Sequence, residues 1–373
     1  MLRRVSKCWR VCAGVLILES ALVTARAQQP RTPPSPRPAV DGVVDAFATH
    51  PVVCVGEGTH RGVQDLELRL ALLRDSRIQA LVNDLLVEFG NSRYQTIIDS
   101  FVNGGDIPEA DLRRVWEDSV AADTVPDSPV YERLYRSVRE INAGLPPARR
   151  LRILLGDPPI DWSRVQSAAE LEAWDARRDS HAAEVIKREV LEKHRRALAL
   201  YGSWHCAARN DKTNFTTADS LRALLDQSNP GSVFALHVFG REDADPRGIE
   251  PTIASWPPMT SARLATTTLG AVDWSAVNAL DGRVEREAGV RKALSRTEWR
   301  KRSLAEQYDA VIYLAPPSAI SIARLSAERC GDTQYLRMRT QRMALSLGIS
   351  PEGTPGDPIG QLRQYCEAQA SRK

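Results

Sequence analysis

Six short apolar runs punctuate the chain, at Val52–Val55, Leu85–Phe89, Leu151–Leu155, Ala197–Tyr201, Val233–Val238 and Ala310–Leu314. Each is bounded by turn-forming residues and is the length of a strand buried on both faces, too short for a helix. Longer amphipathic stretches separate them. Leu66, Leu70 and Leu73 recur at helical spacing after the first run, and Trp174 to Ala197 reads as one long helix carrying Val185, Ile186, Val190 and Leu191. Further helices are predicted over 92–103, 109–118, 130–142, 217–227 and much of 333–371, with loops or a lid over 241–260 and 281–300. Apolar runs alternating with amphipathic stretches predict an α/β fold, a mainly parallel β-sheet with helices on both faces. We expect a single domain over 41–373 whose C-terminal region, from about 321, is helical. No repeat at solenoid spacing is present, which excludes that class.

The start of the chain has a different pattern. Arg3, Arg4, Lys7 and Arg10 precede an apolar stretch through Val15–Leu18 and Ala21–Val23, closed by Ala25-Arg26-Ala27. This predicts a secretory signal peptide over 1–27, cleaved after Ala27. Glu19 interrupts the stretch, which falls short of the roughly 20 apolar residues a membrane span needs. Residues 28–40 are proline-rich and predict an extended tether without packed structure. Removing 1–27 deletes five basic side chains and one acidic one, which takes the formal charge from +3 to −1. With that balance, and with basic and acidic residues interspersed, nucleic acid is excluded as a partner. A periplasmic or secreted protein acting on a small molecule is expected, with no membrane attachment after signal cleavage. Cys8 and Cys12 leave with the signal. Cys54 is expected to be a small core residue, while Cys330 and Cys366 flank the C-terminal helical region and could pair in an oxidising compartment.

In open parallel sheets ligands bind beyond the carboxyl ends of the strands, so the residues at the end of each apolar run carry the most information. The first run ends in Gly56-Glu57-Gly58-Thr59-His60, the second in Glu88, the third in Asp157-Pro158-Pro159, and the fourth in Gly202-Ser203-Trp204-His205. Each residue alone has an ordinary structural role open to it: Glu88 as a helix cap, Asp157 as a turn residue, His205 as a core histidine. As a set they point to one edge. Gly56-Glu57-Gly58 is not a dinucleotide fingerprint, because Glu57 would repel a pyrophosphate and no acidic residue ends a strand at the right distance. A phosphate-binding P-loop and the G-x-S-x-G nucleophile elbow are both missing. Cys206 adjoins His205 and makes a poor nucleophile–base pair with it, since neighbours on a strand face opposite ways. What remains is carboxylate, imidazole and arginine chemistry. A neutral His60 or His205 can take a proton from water, Glu57 or Glu88 can hold its tautomer, and Arg69 can stabilise an oxyanion, unless Arg69 only pairs with Asp65 on a solvated helix face. The same Glu57, His60, Glu88 and His205 could instead bind a divalent metal such as zinc, manganese or iron. His50, His181 and His194 read as surface residues and His237 as a core histidine.

The run Gly56-Glu57-x-Thr59-His60-x-Gly62 resembles the G-E-x-T-H-G signature of erythromycin esterase-like proteins, which are related to the haem-binding ChaN and the Tiki families. Arg69 nine residues past the histidine, Glu88 ending the second strand, Arg178-Asp179 opening a helix and His205 ending the next strand extend the resemblance over about 50–320. It implies an EreA/ChaN-like fold with a cleft at the strand ends. It implies that His60 is the general base activating water, that Glu57 and Glu88 support it, and that Arg69 and His205 position the substrate or its oxyanion. Asp157, Arg178, Asp179 and Arg209 are expected to contact substrate. The esterase branch is metal-independent, the Tiki branch uses metal and the ChaN branch binds haem iron. The sequence departs from the signature at Arg61, where the esterases have glycine, and in Cys206-Ala207-Ala208-Arg209. The expected function is an exported hydrolase attacking an ester, lactone or related acyl bond, with no cofactor. The alternative is a haem- or metal-binding protein without hydrolase activity.

Overall fold

The computed structural model describes residues 31–208, 219–240, 249–272, 303–349 and 356–371. Eight strands, β1 (Arg37–Pro38), β2 (Val52–Glu57), β3 (Asp84–Asn91), β4 (Arg152–Asp157), β5 (Ala197–Gly202), β6 (Val233–Phe239), β7 (Thr260–Arg263) and β8 (Ala310–Tyr313), form one sheet in the order β1-β7-β8-β6-β2-β5-β3-β4. The six strands from β8 to β4 are parallel, and β7 and β1 add an antiparallel edge. This is an α/β fold of the expected kind, and all six apolar runs are strands.

Alternation along each strand divides the core in two, because successive side chains point to opposite faces. Val53, Val55, Leu85, Val87, Leu198, Leu200, Phe234 and Leu236 face one side. There they pack against helices α1 (Ala39–Ala46), α2 (Val63–Arg74), α3 (Ser76–Leu81), α4 (Gln95–Val102), α5 (Glu109–Glu117) and α6 (Pro129–Ala143). Val52, Cys54, Leu86, Ala197, Ala199, Val233 and Ala235 face the other. They meet α8 (Arg178–Ile186) and α9 (Leu221–Ser228), while α7 (Ala168–Asp175) lies outside both cores with Leu171 in a small satellite cluster. Each aliphatic side chain fully buried this way contributes about 1.5–3 kcal/mol.

Four expectations change. The helix predicted over Trp174–Ala197 is two, α7 and α8, the second continued by a π-turn at Lys187–Leu191. No side chain between Leu171 and Asp179 is buried, so nothing holds a continuous helix to the sheet there. The proline-rich stretch is packed at its end: β1 pairs Arg37 with Ser261 and Pro38 with Thr260, and α1 begins at Ala39. An edge strand with one free side tolerates the missing proline N–H. Cys54 is the buried core residue expected, but it is not unpaired: it is bonded to Cys206, with Cα atoms 5.7 Å apart. The turn after β5 is a 3-10 helix, Ser203–Cys206, which folds Cys206 back over β2. The loop expected over 241–260 contains a short helix, Glu250–Ile253, and ends at β7, while 281–300 lies outside the described residues. Cys330 and Cys366 are bonded, as the sequence allowed, tying helix Ala327–Gly331 to helix Pro358–Ser371. Among the described residues no helix is long and apolar enough to cross a membrane.

Candidate active site

The sheet brings four strands level near their carboxyl ends. Glu57 of β2 stands beside Gly202 of β5, and Val87 of β3 stands beside Leu200 of β5 and Leu155 of β4. Between Val87 and Asn91 the β3–β4 register shifts, so Glu88 lies in an irregular stretch of the kind that re-aims side chains. From β2 the chain runs outward to β3 and β4, then returns to place β5 and β6 on either side of β2. A change of winding direction of this sort opens a crevice at the carboxyl ends.

The first half of the site is a carboxylate–imidazole pair. The Nδ1–H of His60 donates to Glu57 Oε2 at 2.8 Å, which makes Nε2 the other, unanchored ring nitrogen. Glu57 is buried and also accepts from the Tyr131 hydroxyl at 3.0 and 3.1 Å, with Arg69 Nη2 3.7 Å away. The His60 side chain, by contrast, is 47% exposed, with its ring edge-on to Phe89 at 5.5 Å. Burial of the site lowers the affinity of His60 for its proton, but the charge and hydrogen bond of Glu57 and the charge of Glu88 outweigh it and push the imidazole up to about 9. The loop that aims His60 closes on Asp65, whose Oδ1 accepts the Gly58 N–H at 2.8 Å. Burial and then the Glu57 charge raise Asp65 to about 7, against the pull of Arg69 and the Gly58 and Thr59 amides. Arg61 sits at φ 68°, a left-handed conformation costing a side chain about 1 kcal/mol. It occupies the position where the esterase signature has glycine.

The second half is a longer chain of charges. His205 Nδ1–H donates to Asp179 Oδ1 at 2.7 Å, and its Nε2 lies 3.5 Å from Glu88 Oε1. Asp179 is itself fixed by the Leu221 N–H at the start of α9, at 2.9 Å. Glu88 accepts the Gly202 N–H at 2.7 Å and Arg178 Nη2 at 3.1 Å, while Arg178 Nε donates to Asp157 at 2.9 Å. Asp157 also accepts the Val120 N–H. Burial opposes the His205 proton, yet Asp179 and Glu88 together hold it to about 10. Burial would raise the Glu88 carboxyl, but His205 and Arg178 draw it well below the usual carboxylate range. The two halves meet at one point. A Cβ placed on Gly202 would lie 3.3 Å from Glu88 Oε2, 3.5 Å from His205 Cδ2 and 3.5 Å from His60 Cε1.

Glu57, His60, Glu88, His205, Arg69, Asp157, Arg178 and Asp179 therefore gather at one edge, and Arg209 lies outside the described residues. Arg69 is neither solvated nor placed for an oxyanion. It is buried behind Glu57, lining a cavity of about 10 Å³, room for about one water, with Tyr131 and Tyr135. Asp157 and Arg178 act on Glu88 from behind. Sequence reasoning missed Asp65 as part of the site and Tyr131 altogether, and it named Gly202 only as part of the strand end, with no role of its own. Asp65 alone left a signal: with Leu68, Arg69 and Leu72 it completes a helical stripe, all of it buried. One ligand atom each of Glu57, His60 and Glu88 lies within 4.8 Å of the others, a mixed nitrogen–oxygen set that suits zinc, manganese or iron. His205 stands outside that group, committed at its Nδ1 to Asp179.

No family model and no curated protein sequence matches the chain. Among solved structures it is similar to a succinoglycan biosynthesis protein, with TM-score 0.50 and 9% identity over 77% of this chain and 92% of that one. An erythromycin esterase, EreC, captured as a mutant in its open conformation, aligns at TM-score 0.49 and 11% identity, covering 78% of this chain and 99% of that one. A protein from Bacillus cereus aligns at TM-score 0.46 and 11% identity, covering 76% and 91%. At these identities the likeness is one of fold alone.

Proposed function

We propose that this protein is an exported, erythromycin-esterase-like hydrolase in which His60 activates water against an ester, lactone or related acyl bond. The observation that carries this reading is a half-exposed imidazole at the sheet's carboxyl edge, anchored through Nδ1 on a buried carboxylate. A neutral His60 takes a proton from water at Nε2 as the water oxygen bonds to the acyl carbon. The carbon–oxygen bond to the leaving group then breaks, and His60 returns the proton to the departing alkoxide, giving acid and alcohol. Glu57 fixes the tautomer and stabilises the imidazolium. His205, cationic at neutral pH and 17% exposed at its side chain, faces the growing negative charge on the carbonyl oxygen. Trp204, 44% exposed on the same turn, offers apolar surface to the rest of the substrate. Two disulfides support folding in an oxidising compartment, in keeping with the signal sequence.

The proximity of Glu57, His60 and Glu88 favours a second reading, a divalent cation held by those three. Such an ion would supply an acidified water in place of the His60 base. The purified protein separates the two on a panel of esters and lactones. Turnover that survives chelator and falls at least about 100-fold in His60→Gln supports the base. Stoichiometric metal on elemental analysis, with turnover lost to chelator, supports the cation. Unchanged turnover in His60→Gln sinks the first reading.

A further inference from the structure

We propose that the bare Cα of Gly202 is the floor on which the reacting group rests between His60 and His205, so that Gly202 is a positioning residue of the site. This rests on the hydrolase reading above. Glycine is not there for its backbone: Gly202 has φ −54° and ψ 143°, which any residue adopts. Nor is it there to let main chains approach. A side chain on Gly56 would strike the Ser203 hydroxyl and backbone, one on Gly58 would come within 2.7–2.8 Å of the Gly240 backbone, and one on Gly156 would run into the Tyr201 hydroxyl. Those glycines serve packing. At Gly202 the three nearest atoms are all side-chain tips of the site, Glu88 Oε2, His205 Cδ2 and His60 Cε1, at 3.3–3.5 Å. A methyl group fits there with a shift of a few tenths of an ångström and touches nothing structural.

The missing side chain therefore leaves open the space on which both imidazoles and the Glu88 carboxylate converge. Glu88 is held there by the Gly202 N–H itself, so one residue fixes the carboxylate through its amide and keeps the gap clear through its Cα. Raising that floor by one carbon displaces whatever reacts above it by about an ångström, a misplacement that costs on the order of 100-fold in rate.

The test is Gly202→Ala, with Gly331→Ala, where an added Cβ meets nothing within 4 Å, as the control. On the best ester of the panel, Gly202→Ala is expected to lose about 100-fold in kcat/KM, mostly in kcat, with its melting temperature within a few degrees of the parent. In the same variant, methyl-selective NMR is expected to show nuclear Overhauser contacts from the introduced methyl to the ring protons on His60 Cε1 and His205 Cδ2. Gly331→Ala keeps the parental rate. A parent protein active on esters with an equally active Gly202→Ala would overturn the proposal and leave the hydrolase reading intact. Absence of both methyl contacts in a folded variant would also overturn it. A parent inactive on the whole panel would overturn the hydrolase reading and this proposal with it.

Discussion

At neutral pH the imidazole of His60 carries a proton, so the residue proposed as base is in its idle form in about 99 molecules of 100 for a group titrating near 9. Catalysis must therefore climb as the proton leaves: kcat/KM is expected to rise about tenfold per pH unit from 7 and level off above about 9. Glu57→Gln removes the charge that chiefly sustains the proton, leaving burial to pull the imidazole down. The rising limb of the profile should move at least one unit lower in that variant, while the plateau falls because the tautomer is no longer fixed. A pH–rate profile whose limb stays in place would separate His60 from Glu57. The fold responds in the opposite sense. Because His60 and His205 are raised from 6.5 to about 9 and 10, their contribution to stability is complete below pH 6.5 and is lost as pH rises through those values. Most of the cleft was legible in the sequence because strand ends announce themselves: an apolar run that gives way to Glu57 and His60, or to His205, has no core reason to turn polar. The exposure of Arg69 was not legible, since Asp65 and Arg69 four residues apart look the same on a wet helix face as on a buried one.

Among the elements, the interior of the sheet was readable and its margins were not. The parallel strands are buried on both faces and so read as continuous apolar runs. β7, Thr-Ser-Ala-Arg, and β1, Arg-Pro, take their strand state from the neighbour they pair with and carry no pattern of their own. The C-terminal helices show the same dependence on tertiary contact. Helix Thr333–Ser346 is held by Arg339, fully buried, whose Nε donates to Asp127 at 2.6 Å and whose Nη2 reaches the Glu117 carbonyl at 2.9 Å. Tyr335 donates to the same carboxylate at 2.5 Å, and Arg342 pairs with Asp118, so one helix is pinned to the end of α5 and the loop before α6. Breaking a buried pair of this kind leaves one charge unmatched. Asp127→Asn, which keeps the shape and removes the charge, should destabilise the protein by about 3–5 kcal/mol in urea unfolding. A loss below about 1 kcal/mol would mean that solvent reaches the pair and screens it.

At the scale of the whole molecule, the wider-reaching of the two disulfides among the described residues is Cys54–Cys206, which joins the middle of β2 to the turn bearing His205 across 152 residues. Strand β2 carries Glu57 at its end, and β5 with its turn carries Gly202 and His205, so the disulfide ties together the two elements that bring the halves of the site to one point. Both cysteines are buried, out of reach of a reductant while the protein stays folded. Its effect therefore falls on folding: closing a loop of this length removes conformational freedom from the unfolded chain, worth about 2–5 kcal/mol. Replacing the pair, Cys54→Ala with Cys206→Ala, should lower unfolding free energy by that amount. The Cys330–Cys366 link closes only 36 residues and joins two helices that carry none of the site residues. Removing it the same way should destabilise the fold less and leave the site untouched. The two doubles can be compared by urea unfolding together with the NMR titration of His205. Loss of the first link is expected to lower the titration point of His205 from near 10 toward 6.5, as the turn loosens from Asp179 and Glu88, and loss of the second to leave it where it is. If His205 titrates unchanged without Cys54 and Cys206, the ladder and the Asp179 contact alone set the turn, and the disulfide serves the fold without shaping the site.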